Sequence, residues 1–346
     1  DQIGDYQYFD TYDSTSSNYN GVIGIRPTHL FNADFSWETN KKLEAAIELG
    51  FLRDNIFLTA AWFRNRSSNQ LVGVPLPTTT GFSSVQANLN ATVQNSGFEI
   101  DLRTVNFRKE NFEWQTTVNF TLPKNELLSF PNLNGSSYKN LFEIGQPLSI
   151  RKVYHVVGIN AETGAYEFQD FNNDGQITST DDKQAVADLS PKYYGGLSNS
   201  FRYKNWNLDF IFQFVKQNAF NYYYSAPMVG SMANQIVDTM NHFPQNGTSA
   251  EVQAYTTGEN SDRSDAYYKF FDSDGAISDA SYIRMKSLSL SYSIPSVLSK
   301  HFMVKVYIQG QNLLTFTDYK GADPENHSYS SLPPLRQLTL GVQLSF

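Results

Sequence analysis

The side chains with the clearest chemical potential lie in Asp170-Phe-Asn172-Asn-Asp174-Gly175-Gln176-Ile177-Thr-Ser-Thr-Asp181. Asp170, Asn172 and Asp174 fall at loop positions 1, 3 and 5, Gly175 at 6 and Asp181 at 12. A hard cation takes six to eight oxygens, and this spacing wraps them round one point while glycine permits the sharp turn. Gln176 would offer its backbone carbonyl. Asp181 stands where a longer, bidentate glutamate is usual and reaches less far. The pattern predicts calcium, or magnesium, held by Asp170, Asn172, Asp174, Gln176 and Asp181, with the role of fixing a loop rather than performing catalysis. The same residues also suit an Asn-Asp-Gly turn braced by its own side chains, and both readings stand at this point. A second acidic run, Asp272-Ser-Asp274-Gly275 with Asp279 beyond, lacks the full spacing and reads as a polar turn before a strand.

Other chemistry is thinly represented. His29, His155, His242, His301 and His327 include no pair at the spacing of a zinc-binding helix. There is no Gly-x-Ser-x-Gly elbow and no Gly-rich phosphate loop, and nothing points to an enzyme. Tyr222-Tyr-Tyr224, Tyr267, Tyr268, Phe270 and Phe271 form an aromatic group in or beside a long loop. Such rings can stack on sugars or grip peptides at low entropic cost. The preferred reading is that they pack the loop itself or meet a partner subunit.

The elements that position these residues are strands. The chain has 346 residues, 40% of them hydrophobic and 15% aromatic, which excludes disorder. Its net charge of -8 excludes a phosphate-binding surface, so no nucleic-acid partner is expected. The absence of cysteine excludes disulfide scaffolds and thiolate chemistry. No apolar run approaches the roughly eighteen residues of a membrane-spanning helix. Period-two alternation dominates instead. Leu338, Leu340, Val342, Leu344 and Phe346 alternate with polar residues, as do Leu288, Leu290, Tyr292 and Ile294, then Val304, Val306 and Ile308. The pattern recurs at Phe98–Leu102, Val118–Leu122, Leu208–Phe214 and Ala45–Phe51, and less cleanly near 30–38, 55–66, 146–159 and 193–204. This predicts roughly ten or eleven strands. No helix has a convincing period, and 232–240 is the one candidate for a short one.

A β-sandwich and a transmembrane barrel give the same alternation. Three features favour the barrel. Connections are unequal: 122–146 and 218–281 are long, whereas 53–55 and 204–205 are tight. Aromatics, namely Trp37, Trp62, Phe63, Phe112, Trp114, Tyr203 and Trp206, collect near predicted strand ends, as interfacial girdles do. Finally, an alternating strand ends on the aromatic Phe346.

Longer stretches resemble a known family. Ser281-Tyr-Ile-Arg-Met-Lys-Ser-Leu-Ser-Leu-Ser-Tyr-Ser-Ile-Pro295, Val306-Tyr-Ile-Gln-Gly-Gln-Asn-Leu-Leu-Thr-Phe-Thr317 and Pro334-Leu-Arg-Gln-Leu-Thr-Leu-Gly-Val-Gln-Leu-Ser-Phe346 resemble the late strands of SusC-like (RagA-like) TonB-dependent outer-membrane transporters of Bacteroidetes. So do Tyr319-Lys-Gly-Ala-Asp-Pro-Glu325, Trp37-Glu-Thr-Asn-Lys-Lys42, Trp62-Phe-Arg-Asn-Arg66 and Leu76-Pro-Thr-Thr-Thr-Gly-Phe82. Asn95-Ser-Gly-Phe-Glu99, Gly145-Gln-Pro-Leu148, Gly158-Ile-Asn-Ala-Glu-Thr-Gly164 and Asp170–Ile177 complete a series that runs in family order. Ala280 departs from it, where the family commonly has glycine.

The resemblance implies an all-β, antiparallel transmembrane β-barrel with long extracellular loops and short periplasmic turns. Residues 1–346 would be the C-terminal portion, about half of a 22-stranded barrel. The plug domain and TonB box would be absent from this chain and belong to the rest of the same transporter. The implied function is TonB-energised import of oligosaccharides or peptides across the bacterial outer membrane. The implied partners are a SusD-like surface lipoprotein, the N-terminal barrel half and plug, TonB, the lipid bilayer, and the barrel-assembly machinery reading Phe346. The 170–181 loop would then be extracellular. Two alternatives from other classes are a complete small passive pore and a soluble β-sandwich binding module.

Overall fold

The computed structural model describes residues 9–244, 250–295, 303–327 and 332–345. The hairpin β1 (Thr11–Tyr19) and β2 (Val22–His29) forms its own two-stranded sheet. Then come four long strands, β3 (Thr39–Phe51), β4 (Ile56–Pro75), β5 (Ser84–Lys109) and β6 (Phe112–Ser129). Short strands come next: β7 (Ile150–Val153), β8 (Val156–Ile159), β9 (Tyr166–Phe168) and β10 (Ala185–Asp188). After them are β11 (Tyr193–Tyr203), β12 (Trp206–Lys216), β13 (Asn218–Phe220), helix α1 (Ser261–Phe271) and β14 (Ile277–Asp279). The chain finishes with β15 (Tyr282–Ile294), β16 (Met303–Thr317) and β17 (Gln337–Ser345).

One nine-stranded sheet dominates, ordered β17-β16-β15-β12-β11-β6-β5-β4-β3. It is an open sheet, with β17 and β3 at its two edges. Several expectations need correction. Residues 30–38 are not a strand: β2 ends at His29 and β3 starts at Thr39, and in between side chains replace the ladder, Asn32 Oδ1 accepting from Asp34 N at 3.0 Å and Asn88 Oδ1 from Ser36 N at 2.9 Å. The 146–159 segment does not join the large sheet; β7 pairs with β10 and β8 with β9. The helix expected at 232–240 is only a 3-10 turn over Val237–Met240, whereas α1 was not foreseen. Trp62 and Phe63 sit inside β4, not near its ends.

The chain divides into two compact units. One draws on 1–44, 63–96 and 124–148, with a small core of Ala91, Val93, Leu127, Phe130 and Leu133. There the Asn125 side chain donates to Asn95 Oδ1 at 2.7 Å and accepts from Leu148 N at 2.7 Å, which ties the end of β6 to the segment leading into β7. The other unit draws on 45–62, 97–123 and 149–346.

In the second unit the register separates two faces. Phe201, Leu208, Leu290, Ile308 and Leu340 succeed one another across β11, β12, β15, β16 and β17. The opposite face carries Arg202, Asn207, Ser291, Tyr307 and Gly341 in the same order. Large apolar residues on the first face stay exposed: Leu340 at 76%, Phe316 at 60% and Ile283 at 49%. Such a contiguous apolar surface needs a covering phase. Asn199 and its cross-strand partner Thr116 are polar residues on this face. Asn199 of β11 is satisfied there by the Trp114 indole N–H at 2.9 Å and the Thr116 hydroxyl at 2.7 Å. Near the tight turns, Trp114 stacks on Phe201 with centroids 5.4 Å apart and Trp206 meets Tyr292 at 4.7 Å.

Lys286 is the hinge of this pattern. It is an extra residue in β15: Ile211 pairs with Ser287 but Phe212 with Met285. The bulge moves the outward set from Leu288 and Leu290 to Met285 and Ile283, so the apolar face stays continuous. Close packing constrains the sheet elsewhere. A Cβ on Gly195 would lie 2.2 Å from the Asn119 carbonyl oxygen, a backbone atom that cannot swing aside. Gly195→Ala is therefore expected to cost about 1–3 kcal/mol through forced backbone movement. The check is the temperature at which the folded species is lost; an unchanged value would show that the strands yield freely.

Candidate functional site

The long segments that interrupt alternation build a folded cap. Residues 150–190 and 217–281 share a core of Ile159, Tyr166, Tyr223, Val252, Tyr267 and Phe270, among others. Helix α1 starts where the Asn260 side chain accepts the Arg263 N–H at 2.9 Å. Asp262 lies in its first turn and Lys269 in its last, both favoured by the helix dipole. Its inward residues are Ala266, Tyr267 and Phe270. Phe270 stacks on Tyr166 with centroids 4.1 Å apart and meets Tyr223 edge-on at 5.6 Å. The aromatic group therefore mainly packs the loop itself, in line with the preferred reading of the sequence. Tyr268, 63% exposed, and Tyr224, 40% exposed, are the rings left outward.

The 170–182 loop hangs from this cap. Asp170 Oδ1 accepts from Asn173 N at 2.7 Å and its Oδ2 from Gly175 N at 2.8 Å. Asn172 Oδ1 accepts from Asp174 N at 3.2 Å, and Asp174 Oδ1 from Gln176 N at 2.7 Å. Positive φ angles at Asn173 (59°) and Gly175 (81°) close the turn. Asp170, Asn172 and Asp174 are thus brought together, with Gln176 at the turn's exit. Asp181 stands apart, bonded to the Thr178 hydroxyl at 3.1 Å. The carboxylate that closes the loop is the neighbouring Asp182, which is fully buried. It accepts from Phe171 N at 2.8 Å and Thr178 N at 2.7 Å. Sequence reasoning missed it because Asp181 and Asp182 are adjacent and only burial tells them apart. The donor set still fits a hard cation chemically: an ionised carboxylate has about four lone-pair sites, and the amide bonds use only some of them. Among the described residues, however, no three His, Cys, Asp or Glu side chains converge on one point.

The second acidic run disperses. Asp272 pairs with Lys183, Asp274 with His155 Nδ1 at 2.5 Å and Asp279 with Lys216 at 2.5 Å. It is a set of tethers, in keeping with the polar-turn reading. His242 stacks on Tyr255 and His327 contacts Gln217, so these histidines lie in separate surroundings. His301 and Phe346 lie outside the described residues.

Asp238 anchors another part of the cap. Its Oδ2 accepts the Tyr222 hydroxyl at 2.5 Å and the Tyr223 hydroxyl at 2.7 Å, with Lys320 at 3.9 Å. Burial alone would raise its pKa, but the two phenols and the Lys320 charge outweigh it and hold the carboxyl below its ordinary value. A carboxyl depressed on folding stabilises above its unfolded pKa of about 3.9, and that contribution is lost as pH falls through the folded value. Protease cutting of 222–240 is therefore expected to be flat from neutrality to about pH 5 and to rise below about pH 4. Asp238→Asn should remove the rise. A rise that persists in the variant would assign it to other groups.

Between β9 and α1 runs a groove of about 550 Å³. Val157, Tyr166, Phe168 and Ile177 give it an apolar floor, and Glu167, Asp262 and Asp265, with Lys269 among them, a rim of net negative charge. On the polar face of the large sheet lies a second charged assembly. Arg284 is buried at 2% exposure, its guanidinium against Asp323, Glu325 Oε2 at 2.6 Å and the Thr315 hydroxyl at 3.0 Å. Lys286 reaches Glu325 at 2.6 Å. Near the tight turns, Glu113 holds Arg108 at 2.8 Å and also Arg202.

Comparison with known proteins places this geometry. A family model described as TonB dependent receptor-like, beta-barrel matches residues 4–313. TonB-dependent receptor P3 of Formosa agariphila is 26% identical over 94% of this chain, which covers 36% of that protein. TonB-dependent receptor SusC of Bacteroides thetaiotaomicron is 27% identical over 100% of this chain and 34% of its own length. The chain thus spans about a third of the length of the curated relatives it matches. Among solved structures, the RagAB peptide importer in its open-open state superposes with a TM-score of 0.79 at 21% identity, over 99% of this chain and 38% of that one. The closed-closed state gives 0.77 at 22% identity, over 100% and 39%. At that identity these two likenesses concern the fold alone.

Proposed function

Because the chain belongs to the TonB-dependent receptor-like β-barrel family, we propose that it forms part of the wall and the extracellular cap of an outer-membrane nutrient importer. The observation that carries this reading is the exposed apolar face, with a polar face opposite, that runs across β11, β12, β15, β16 and β17 of the nine-stranded sheet. A lipid-facing side and a wet lumen ask for that division. The open edges of β3 and β17 would be paired by the rest of the barrel, since unpaired strand edges are not tolerated in lipid. Uptake would be energised by TonB acting on a plug domain elsewhere in the polypeptide. A SusD-like lipoprotein would deliver oligosaccharides or peptides to the cap, and the acidic groove beside α1 suits a ligand or partner with basic and apolar groups.

The test is uptake by cells expressing the full-length protein, with and without TonB and the neighbouring lipoprotein. Loss of uptake on removing either supports the reading. Uptake that ignores TonB would replace it with a passive pore. Purification as a monodisperse soluble monomer without detergent would replace it with a binding module.

The 170–182 loop would hold a structural calcium or magnesium in this setting. Calcium is expected to protect it from protease, EGTA to expose it, and Asp170→Ala to abolish the difference. Indifference to EGTA would leave the turn held by its own side chains.

A further inference from the structure

At the tight-turn end of the sheet the outward row is aromatic. Phe112 pairs with Tyr203, Tyr203 with Trp206 and Trp206 with Tyr292, so four rings lie abreast on β6, β11, β12 and β15. Phe107 of β5 extends the row, its ring centroid 5.5 Å from that of Phe112. Two lysines top these rings: Lys109 Nζ is 5.3 Å from the Phe107 centroid and Lys204 Nζ 5.5 Å from that of Tyr203. Lys204 N donates to the Asn111 carbonyl oxygen at 2.8 Å, which sets the two turns side by side. Lys204 holds a φ of 51°, a left-handed conformation that favours glycine or asparagine. Both lysines are exposed, and no ion pair reaches either among the described residues. The Trp206 indole N–H likewise has no partner among them. On the opposite face Arg108 and Arg202 are drawn onto Glu113, which leaves Glu110 as the one carboxylate in the two turns.

Amphipathic rings with lysines beyond them suit the boundary between acyl chains and headgroups. These turns lie at the opposite end of their strands from the cap, so the row meets the periplasmic leaflet, where an outer membrane carries glycerophospholipids. Two ammonium groups and one carboxylate leave net positive charge, which attracts a phosphate and gains nothing from a cation on the headgroup. An ammonium has three N–H donors and an indole one, all of them suited to phosphate oxygens. We propose that this end of the sheet is a headgroup site for an anionic glycerophospholipid, its phosphate held by Lys109, Lys204 and the Trp206 indole N–H and its acyl chains along Phe201 and Leu208. The inference rests on the membrane-embedded reading of the sheet.

The test is native mass spectrometry of the full-length protein in mild detergent, offered equal amounts of phosphatidylglycerol, phosphatidylethanolamine and phosphatidylcholine with identical acyl chains. Retained phosphatidylglycerol should exceed each of the others about 25-fold, about fivefold for each lysine. Lys204→Gly, which suits the left-handed turn, should lower the preference about fivefold while the heat stability of the folded species is kept or raised. Lys109→Gln combined with Lys204→Gly should abolish the preference. Lys192→Gln, beside the cap end of β11, should leave it unchanged. Equal retention of the three lipids, a preference that survives the double variant, or an equal loss in Lys192→Gln overturns the site while leaving the membrane reading intact. A protein that stays monodisperse without detergent overturns both.

Discussion

Replacing Arg284 by alanine is expected to release the segment C-terminal to β16 from the polar face of the sheet. Asp323 is 4% exposed and would keep its charge with no cation beside it. Removing one partner of a buried ion pair costs about 3–5 kcal/mol, because the remaining charge is neither solvated nor matched. Glu325 would retain Lys286, so the loss centres on Asp323. Two measurements register the change: protease cutting within 318–327 on intact cells, and the temperature at which the folded species is lost. Arg284→Lys should recover only part of the stability, since an ammonium cannot span Asp323, Glu325 and Thr315 as a planar fork does. The triple change Arg284→Met, Asp323→Asn, Glu325→Gln should be closer to the native protein than Arg284→Ala alone. A single alanine variant with native stability would show that water already screens the assembly.

Phe270→Ala carries the second large effect. Truncating a buried Phe costs about 3–5 kcal/mol, part transfer and part cavity. Here the ring also stacks on Tyr166 and meets Tyr223, contacts worth roughly 0.5–1.5 kcal/mol beyond their area. Hydrogen exchange in β8, β9 and 218–240 should accelerate by at least about a hundredfold, since each 1.4 kcal/mol is a factor of ten. Protection in β12, β15 and β16 should persist, because those strands are held by ladder pairing and not by the cap core. Loss of protection in both places would show that cap and wall unfold as one unit.

The large sheet was readable where one face stays apolar over many residues. Leu208–Phe214, Leu288–Ile294, Val304–Ile308 and Leu338–Leu344 all lie in strands of the nine-stranded sheet. The cap was not readable, because its core is drawn from irregularly spaced aromatics that no periodicity links. Helix α1 left one signal, the Asn260 cap before Ser261, but Ser261–Asp265 is polar and only its second half has an apolar side. The acidic loop was legible as a turn of Asp170, Asn172 and Asp174, yet the choice between Asp181 and Asp182 depends on burial. Arg284 looked like one more polar residue of an alternating strand. Its partners lie 39 and 41 residues on, and such pairings leave no local trace.

The bulge at Lys286 has a bearing on how such a wall can change length. In a strand, every inserted or deleted residue exchanges inside for outside from that point onward. Sequence drift within a wall strand is therefore confined to steps of two, much as coding sequence is confined to steps of three. Lys286 is a place where an odd step has been absorbed: below it the odd-numbered residues Ile283 and Met285 face outward, above it the even-numbered Leu288 and Leu290. Related sheets that differ by a single residue should carry the difference at such a bulge or in a turn, and a comparison that aligns strands without gaps will pair residues of one face with residues of the other across half the strand.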